Sequence, residues 1–321
     1  MRIMMFFLSA AVFLLSMQQG IACAAGPKIY LSLYSEGGVA PVDTTTNDAW
    51  GVIKTGKEPG RMVTDGKRVY VGLEGEDSIA VIDTASDKLV GSVKDVRSTG
   101  GMDITPDRKK IVAASSGRHK VYVIDVETLR VIGNIAVDGC DSINTVKVSR
   151  DGKQAYVAGS NGIMQVIDLG LNKSIMEIKI PEEVEDEVLS ADGRTLYLNS
   201  TGTGKIAVLD VGTMQVVEYI PGGGLLGLAL SPDGEEIWYG GPGKTTVSVY
   251  SFKEKKVISE IQRDTDVANC LISFSPDGKN AYIGNSGVDG DCLYVIDATS
   301  KARTGVIRVK GGFSNFIYVP G

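Results

Sequence analysis

Asp-Gly pairs recur along this chain at a nearly fixed interval, and that interval constrains the fold more than any other feature. They fall at Asp65-Gly66, Asp151-Gly152, Asp192-Gly193, Asp233-Gly234 and Asp277-Gly278, with Asp107-Arg108 standing in at one place. Successive members lie 41 to 44 residues apart. A second series keeps the same step: Val81-Ile82-Asp83, Val123-Ile124-Asp125, Val166-Ile167-Asp168, Val208-Leu209-Asp210 and Val295-Ile296-Asp297. Val249-Tyr250-Ser251 and Pro41-Val42-Asp43 are degenerate members and bring the count to seven. A period of this length marks an array of similar supersecondary units, each burying its apolar faces against its neighbours.

Each unit reads as four short strands. In one of them, residues 144–149 alternate apolar with polar, Arg150-Asp151-Gly152 turns, and 154–158 return; 164–168 and 174–180 supply the third and fourth strands. Asp-Gly suits the first hairpin, because glycine accepts positive φ without steric cost and aspartate bonds the turn backbone. No helical periodicity is sustained outside the N-terminal segment. Forty glycines in 321 residues, with no triplet repeat, agree with turn-rich β structure and exclude collagen. The prediction is an all-β, seven-bladed β-propeller of four-stranded blades. Its first blade lacks an inner strand, and residues 314–319 at the C-terminus would supply it, closing the ring without exposed edges.

The residues after each turn resemble the YVTN-type β-propeller repeat. The similarity lies in Lys67-Arg68-Val69-Tyr70-Val71 followed by Ser78 through Thr84, in Ala155-Tyr156-Val157-Ala158, and in Ala281-Tyr282-Ile283-Gly284-Asn285. Ser-Pro-Asp-Gly at Ser231 and again at Ser275 matches the same repeat's hairpin. The resemblance covers nearly the whole chain after its leader and implies kinship with lactonase-like propellers and with large subunits of quinone-type amine dehydrogenases. Such relatives share blades and differ in their loops, so the resemblance implies a fold and leaves the function to the site.

The N-terminus reads as a leader. Arg2 precedes an apolar run at residues 4–17, too short for a comfortable bilayer span, and Ala22-Cys23-Ala24 places small residues before a cleavage point after Ala24. Residues 1–24 are therefore expected to be a signal peptide and 25–321 a single propeller domain, periplasmic or secreted. Lipidation at Cys23 is the lesser reading, because Gly20 stands where a lipoprotein signal should carry Leu. No later stretch is apolar enough to span a membrane. Thirty-three basic against 39 acidic residues argue against nucleic acid as a partner.

Alternating strand direction puts the loop before each first strand and the loop after each second strand on one face. Aligning the Asp-Gly turns sets Glu58, Asn144, Glu185 and Cys270 in the outermost layer of the channel mouth. Asp186 lies one layer deeper, and Glu187 and Asn315 a third layer down. The run Glu182-Glu183-Val184-Glu185-Asp186-Glu187 is read as a solvated rim or as a cation or basic-partner site. Three cysteines follow the leader; the long loop between Asn285 and Asp291 suggests a Cys270–Cys292 bond and a free Cys140, provided the loop folds inward across two strand spacings. His119 is the only histidine and sits in a loop, which argues against a histidine-ligated metal or haem pair. Gly222 through Gly227 satisfies a GxGxxG pattern, but no helix follows it.

No complete catalytic set is visible. The first reading is thus a non-catalytic exported scaffold binding a protein partner or small molecule at the channel mouth, with no cofactor assigned beyond a divalent cation as one option. The second is a lactonase-like hydrolase or a lyase using mouth carboxylates with such a cation. The third, a propeller subunit of a periplasmic redox complex, rests on the resemblance alone.

Overall fold

The computed structural model describes residues 26–320 apart from 98, 116, 225–226, 241–244, 265–269, 286–290 and 310–311. The expected leader lies outside the described residues. Seven sheets form one all-β ring. Six run inner to outer in chain order; the first has Lys28–Leu33 and Gly38–Asp43 as its middle strands and a split outer edge at Asp48–Ala49 and Ile53–Lys54. Its inner strand is Asn315–Val319, antiparallel to Lys28–Leu33 with Ser32 opposite Asn315 and Lys28 opposite Val319. The C-terminus therefore closes the ring. The Ser32 hydroxyl donates to the Asn315 carbonyl at 3.1 Å, and the Ser314 hydroxyl donates to the Pro59 carbonyl of the second blade at 2.8 Å, so the seam is bonded to both neighbours. Among the described residues no helix is long and apolar enough to cross a membrane.

Burial explains the repeating sequence. The third strand of a blade is covered on both faces by adjacent blades, so Lys120–Asp125 is buried at four successive positions. That is why Val-Tyr-Val-Ile is continuously apolar instead of alternating. Outer strands such as Lys173–Lys179 keep one edge and much of both faces in water and read as mixed. The core is accordingly a set of layers between blades; one joins Val121 and Val123 of the third blade to Val157 and Ile167 of the fourth.

Local turn chemistry fixes the frame. In the first hairpin of the fourth blade, Asp151 accepts from the Ser149 hydroxyl at 2.6 Å and from the Lys153 amide at 3.0 Å, while Gly152 takes φ +71°. Arg108 occupies the glycine position of the third blade at φ 60°, a conformation that costs a non-glycine residue about 1–2 kcal/mol. Its guanidinium donates to the Asp65 carbonyl of the preceding blade at 2.8 Å, which offsets that cost. The aspartate closing each Val-Ile-Asp series caps the second turn: Asp125 accepts from the Thr128 amide at 2.7 Å and from its hydroxyl at 2.6 Å, ahead of Leu129 at φ 56°. A bulge recurs at the same Val-Ile step, as at Val123/Ile124 and Val166/Ile167, and adds the twist that a blade needs.

Candidate functional site

The inner strands of four consecutive blades build a small cavity of about 40 Å³ in the channel. Arg61 comes from Pro59–Thr64, Gly101 and Met102 from Thr99–Ile104, Asn144 through Lys147 from Ile143–Val148, and Asp186 and Glu187 from Val184–Leu189. Of the residues expected at the mouth, the fold brings together Asn144, Glu185, Asp186 and Glu187. The Asn144 amide donates to the Glu185 carboxylate at 3.4 Å.

Glu187 is the most unusual group. It is 2% exposed, and neither carboxyl oxygen has a hydrogen-bond partner. Burial pushes its carboxyl up to about 8; Lys147 and the nearby Thr145 hydroxyl oppose the rise, and the Asp186 and Asp103 carboxylates add to it. The Thr145 hydroxyl is itself buried without a partner. Asp186 differs: its two oxygens accept from the Glu187 amide at 2.9 Å and from the Leu228 amide of the next blade at 3.0 Å. Asp103 repeats this clasp, accepting from the amides of Ile104 at 2.9 Å and of Val148 in the next blade at 2.8 Å. Two aspartates thus bolt neighbouring inner strands together, and much of their acceptor capacity is occupied.

Sequence alignment missed the cations. Arg61 and Lys147 lie one step below the third layer, four residues before their Asp-turn positions, as does Asp103. One more layer of the same alignment would have gathered all three. Both cations are half-buried, and among the described residues neither makes an ion pair or a side-chain hydrogen bond. At longer range Arg61 holds down Glu185 and Glu74, whose carboxyls are both pushed up, chiefly by burial. Glu74 was not foreseen either; it lies beside Glu58, which raises it further.

Glu58, Asn315 and Cys270, also expected at the mouth, do not line this cavity. Glu58 is exposed at φ 54° on the rim and does not line the cavity. Asn315 is buried in the closing strand, outside the cavity lining. Cys270 does not face the channel: it is fully buried against Trp238, Ala281 and Ile283, and burial pushes its thiol up to about 11. Gly227, at φ +111°, permits this, because a Cβ there would meet the Cys270 carbonyl oxygen at 1.4 Å. The expected Cys270–Cys292 bond is not made. Cys140, Cys270 and Cys292 are all free and buried. Cys292 belongs to the third strand of its blade, opposite Asn285, whose amide lies 3.9 Å from its sulfur, so it stays two strands from the inner edge. The loop expected to bring it inward falls outside the described residues.

His119 sits on the loop between the second and third strands of the third blade, with its side chain half exposed. Its Nδ1 lies 2.7 Å from the Cys140 carbonyl oxygen and 4.0 Å from Asp141. It takes no part in the cavity.

The family model described as "Cytochrome D1 heme domain" matches residues 115–228, about a third of the chain. No curated protein matches the sequence significantly. Among solved structures, Kuenenia stuttgartiensis hydrazine synthase is similar with a TM-score of 0.67 and 22% identity, over 82% of this chain and 86% of that one. A haem calls for an axial ligand and an apolar slot for the macrocycle. The described cavity is too small for a macrocycle and mostly polar: Arg61, Asn144, Thr145, Lys147, Asp186 and Glu187 line it with only Met102 and Val146 as apolar side chains, Met102 packs into the core between blades, and the sole histidine is engaged on a loop outside the cavity. The residues present do not fit that group. What the similarities and the coordinates agree on is architecture: the chain is a seven-bladed β-propeller closed by its own C-terminal strand.

Proposed function

We propose that residues 25–321 form an exported, non-catalytic propeller scaffold that binds a small ligand or a protein partner at the channel mouth. The observation that carries this reading is the cavity itself, where four blades converge unsatisfied acceptors on Glu187 and Thr145 with the uncommitted cations Arg61 and Lys147. A binding site is expected to hold polar groups whose partner is the ligand. A hydrolase or lyase using a divalent cation draws no support from the site, since no group of three or more His, Cys, Asp or Glu suited to a metal occurs among the described residues. Native mass spectrometry of the exported protein tests the proposal. Retention of a ligand or subunit by the wild type, lost in Arg61→Gln and Asn144→Ala, is the expected result; retention unchanged in both variants would remove the mouth from the account.

A second reading places the scaffold in a periplasmic redox complex. It is favoured by the match of residues 115–228 to a cytochrome d1 haem domain and by the fold shared with a hydrazine synthase chain. In this reading the redox group belongs to the partner and the propeller supplies a rigid docking face. Co-purification of a haem-absorbing subunit with the tagged protein supports it; a colourless, partner-free preparation from its native host counts against it.

A further inference from the structure

On the face opposite the channel mouth, a groove of about 370 Å³ runs between the turns of the second and third blades. That volume falls among the roughly 300–1,000 Å³ of small-molecule sites. Asp65, Lys67 and Arg68 of the second blade line it, with Arg108, Lys109 and residues 125–127 of the third.

The boundary between the sixth and seventh blades carries the matching groove, also of about 370 Å³, and the two differ in charge. Glu236 there holds the place of Arg68, and Lys301 holds the place of Leu129 at the end of the same turn, with φ 61° against 56°. Lys301 donates to the Ala298 carbonyl at 2.5 Å and to the Glu236 carboxylate at 2.6 Å, and the Trp238 indole donates to that carboxylate at 2.9 Å. In the second-to-third groove Arg68 donates to the carbonyl of Val126, the counterpart of Ala298, at 3.2 Å. The same backbone carbonyl thus holds a cationic head in both grooves, but only Lys301 is ion-paired. Arg68 lies near the Asp83 carboxylate and the Tyr70 phenol without forming an ion pair. Lys67 stands where the other groove has Glu235, and Arg108 where it has Gly278. Arg108 is placed by its bond to the Asp65 carbonyl and lies so close over Gly66 that a Cβ there would meet its guanidinium nitrogen at 3.0 Å. Among the described residues none of these four cations forms an ion pair. The acids of the groove are occupied by their own turns: Asp65 accepts from the amides of Lys67 and Arg68 and from the Tyr70 hydroxyl, and Asp125 from Thr128, while Glu127 is exposed.

We infer that this groove binds a small phosphate ester, its phosphoryl oxygens accepting from Arg68 and Arg108 and its charge further balanced by Lys67 and Lys109. Guanidinium forks suit phosphate and carboxylate alike, but a phosphoryl group offers three acceptor oxygens to cations arriving from two blades, and a carboxylate two. Val126 and the methylene stems of the arginines and lysines give the organic part of the ester an apolar surface. This site is separate from the mouth cavity and stands whether or not the mouth holds a ligand.

Titration calorimetry of the mature protein with glycerol phosphate, inorganic phosphate and acetate tests this near pH 8, where a phosphate monoester carries about two charges. Glycerol phosphate should bind with Kd below about 10 mM, and acetate at least about tenfold more weakly. Arg68→Gln and, separately, Arg108→Gln should each weaken glycerol phosphate about tenfold, since each removes charge-assisted hydrogen bonds. Arg68→Glu combined with Leu129→Lys, which installs the ion pair of the sixth-to-seventh groove, should abolish binding, and Arg61→Gln at the mouth should leave it unchanged. Absence of glycerol phosphate binding up to about 10 mM, wild-type affinity in either single variant or in a folded double variant, or equal affinity for acetate would each overturn the inference. Tighter binding of inorganic phosphate than of the ester would overturn the organic ligand, and loss of binding in Arg61→Gln would move the anion to the mouth and overturn the groove.

Discussion

Replacing Glu187 by Gln should stabilise the protein, by an amount that grows with pH. A carboxyl whose ordinary value of 4.5 rises to about 8 in the folded state favours its neutral form there. The sign follows: the favourable contribution of the neutral acid is complete below about 4.5 and is lost as pH rises through about 8. Gln keeps the shape and stays neutral throughout. At about 1.4 kcal/mol per unit, the gap between variant and wild type should be near zero at pH 4.5, about 3 kcal/mol at pH 7, and about 5 kcal/mol at pH 9 as a ceiling. Rotation of Lys147 onto the carboxylate would lower that ceiling, because an ion pair recovers part of the desolvation cost. Urea unfolding at the three pH values reads the gap directly. A variant that is less stable than wild type at pH 9, or a gap that does not change with pH, would refute a buried, unpaired Glu187.

Deleting residues 314–321 should lower the melting temperature sharply, because it strips the inner strand from Lys28–Leu33 and opens a sheet edge; an unchanged melting curve would refute closure. Thiol titration should find three reactive cysteines in denatured, unreduced protein and slow reaction in the native state, since all three are buried and free; a single reactive thiol would restore the bridge. Asp125, Asp151 and Asp210, held below the usual carboxylate range by hydrogen bonds from their turns, contribute stability that is complete above their unfolded values and lost as pH falls through their lower folded values. Thermal melts between about pH 6 and pH 3 should therefore fall toward the acid end, less steeply in Asp125→Asn. Gly227→Ala should cost several kcal/mol by forcing a Cβ onto the Cys270 carbonyl, well above the roughly 1 kcal/mol of an ordinary substitution, which comparative urea unfolding would show.

The amino-acid sequence alone determined the repeating parts of this molecule. Strand, turn and bulge within a blade are set by contacts a few residues apart: Ser149 with Asp151, Thr128 with Asp125, and the positive φ that follows each capped turn. Such local chemistry repeats visibly, so the seven blades and the borrowed C-terminal strand were legible. The cavity was legible only in part. Aligned turns placed Asn144, Glu185, Asp186 and Glu187 near one another, but each blade's contribution arrives more than 40 residues from the next. Convergence of Arg61 and Lys147 on the cavity that Glu187 lines depends on how far each strand reaches into the channel. Tertiary structure also divided residues that look alike in sequence: backbone amides of the following blade take up Asp186, while its neighbour Glu187 is left without a donor. It drew Cys270 into the core, where Gly227 lets two backbones touch, and kept Cys292 two strands away. These outcomes turn on distances between chains of atoms remote in sequence, and only packing of blade against blade fixes those distances.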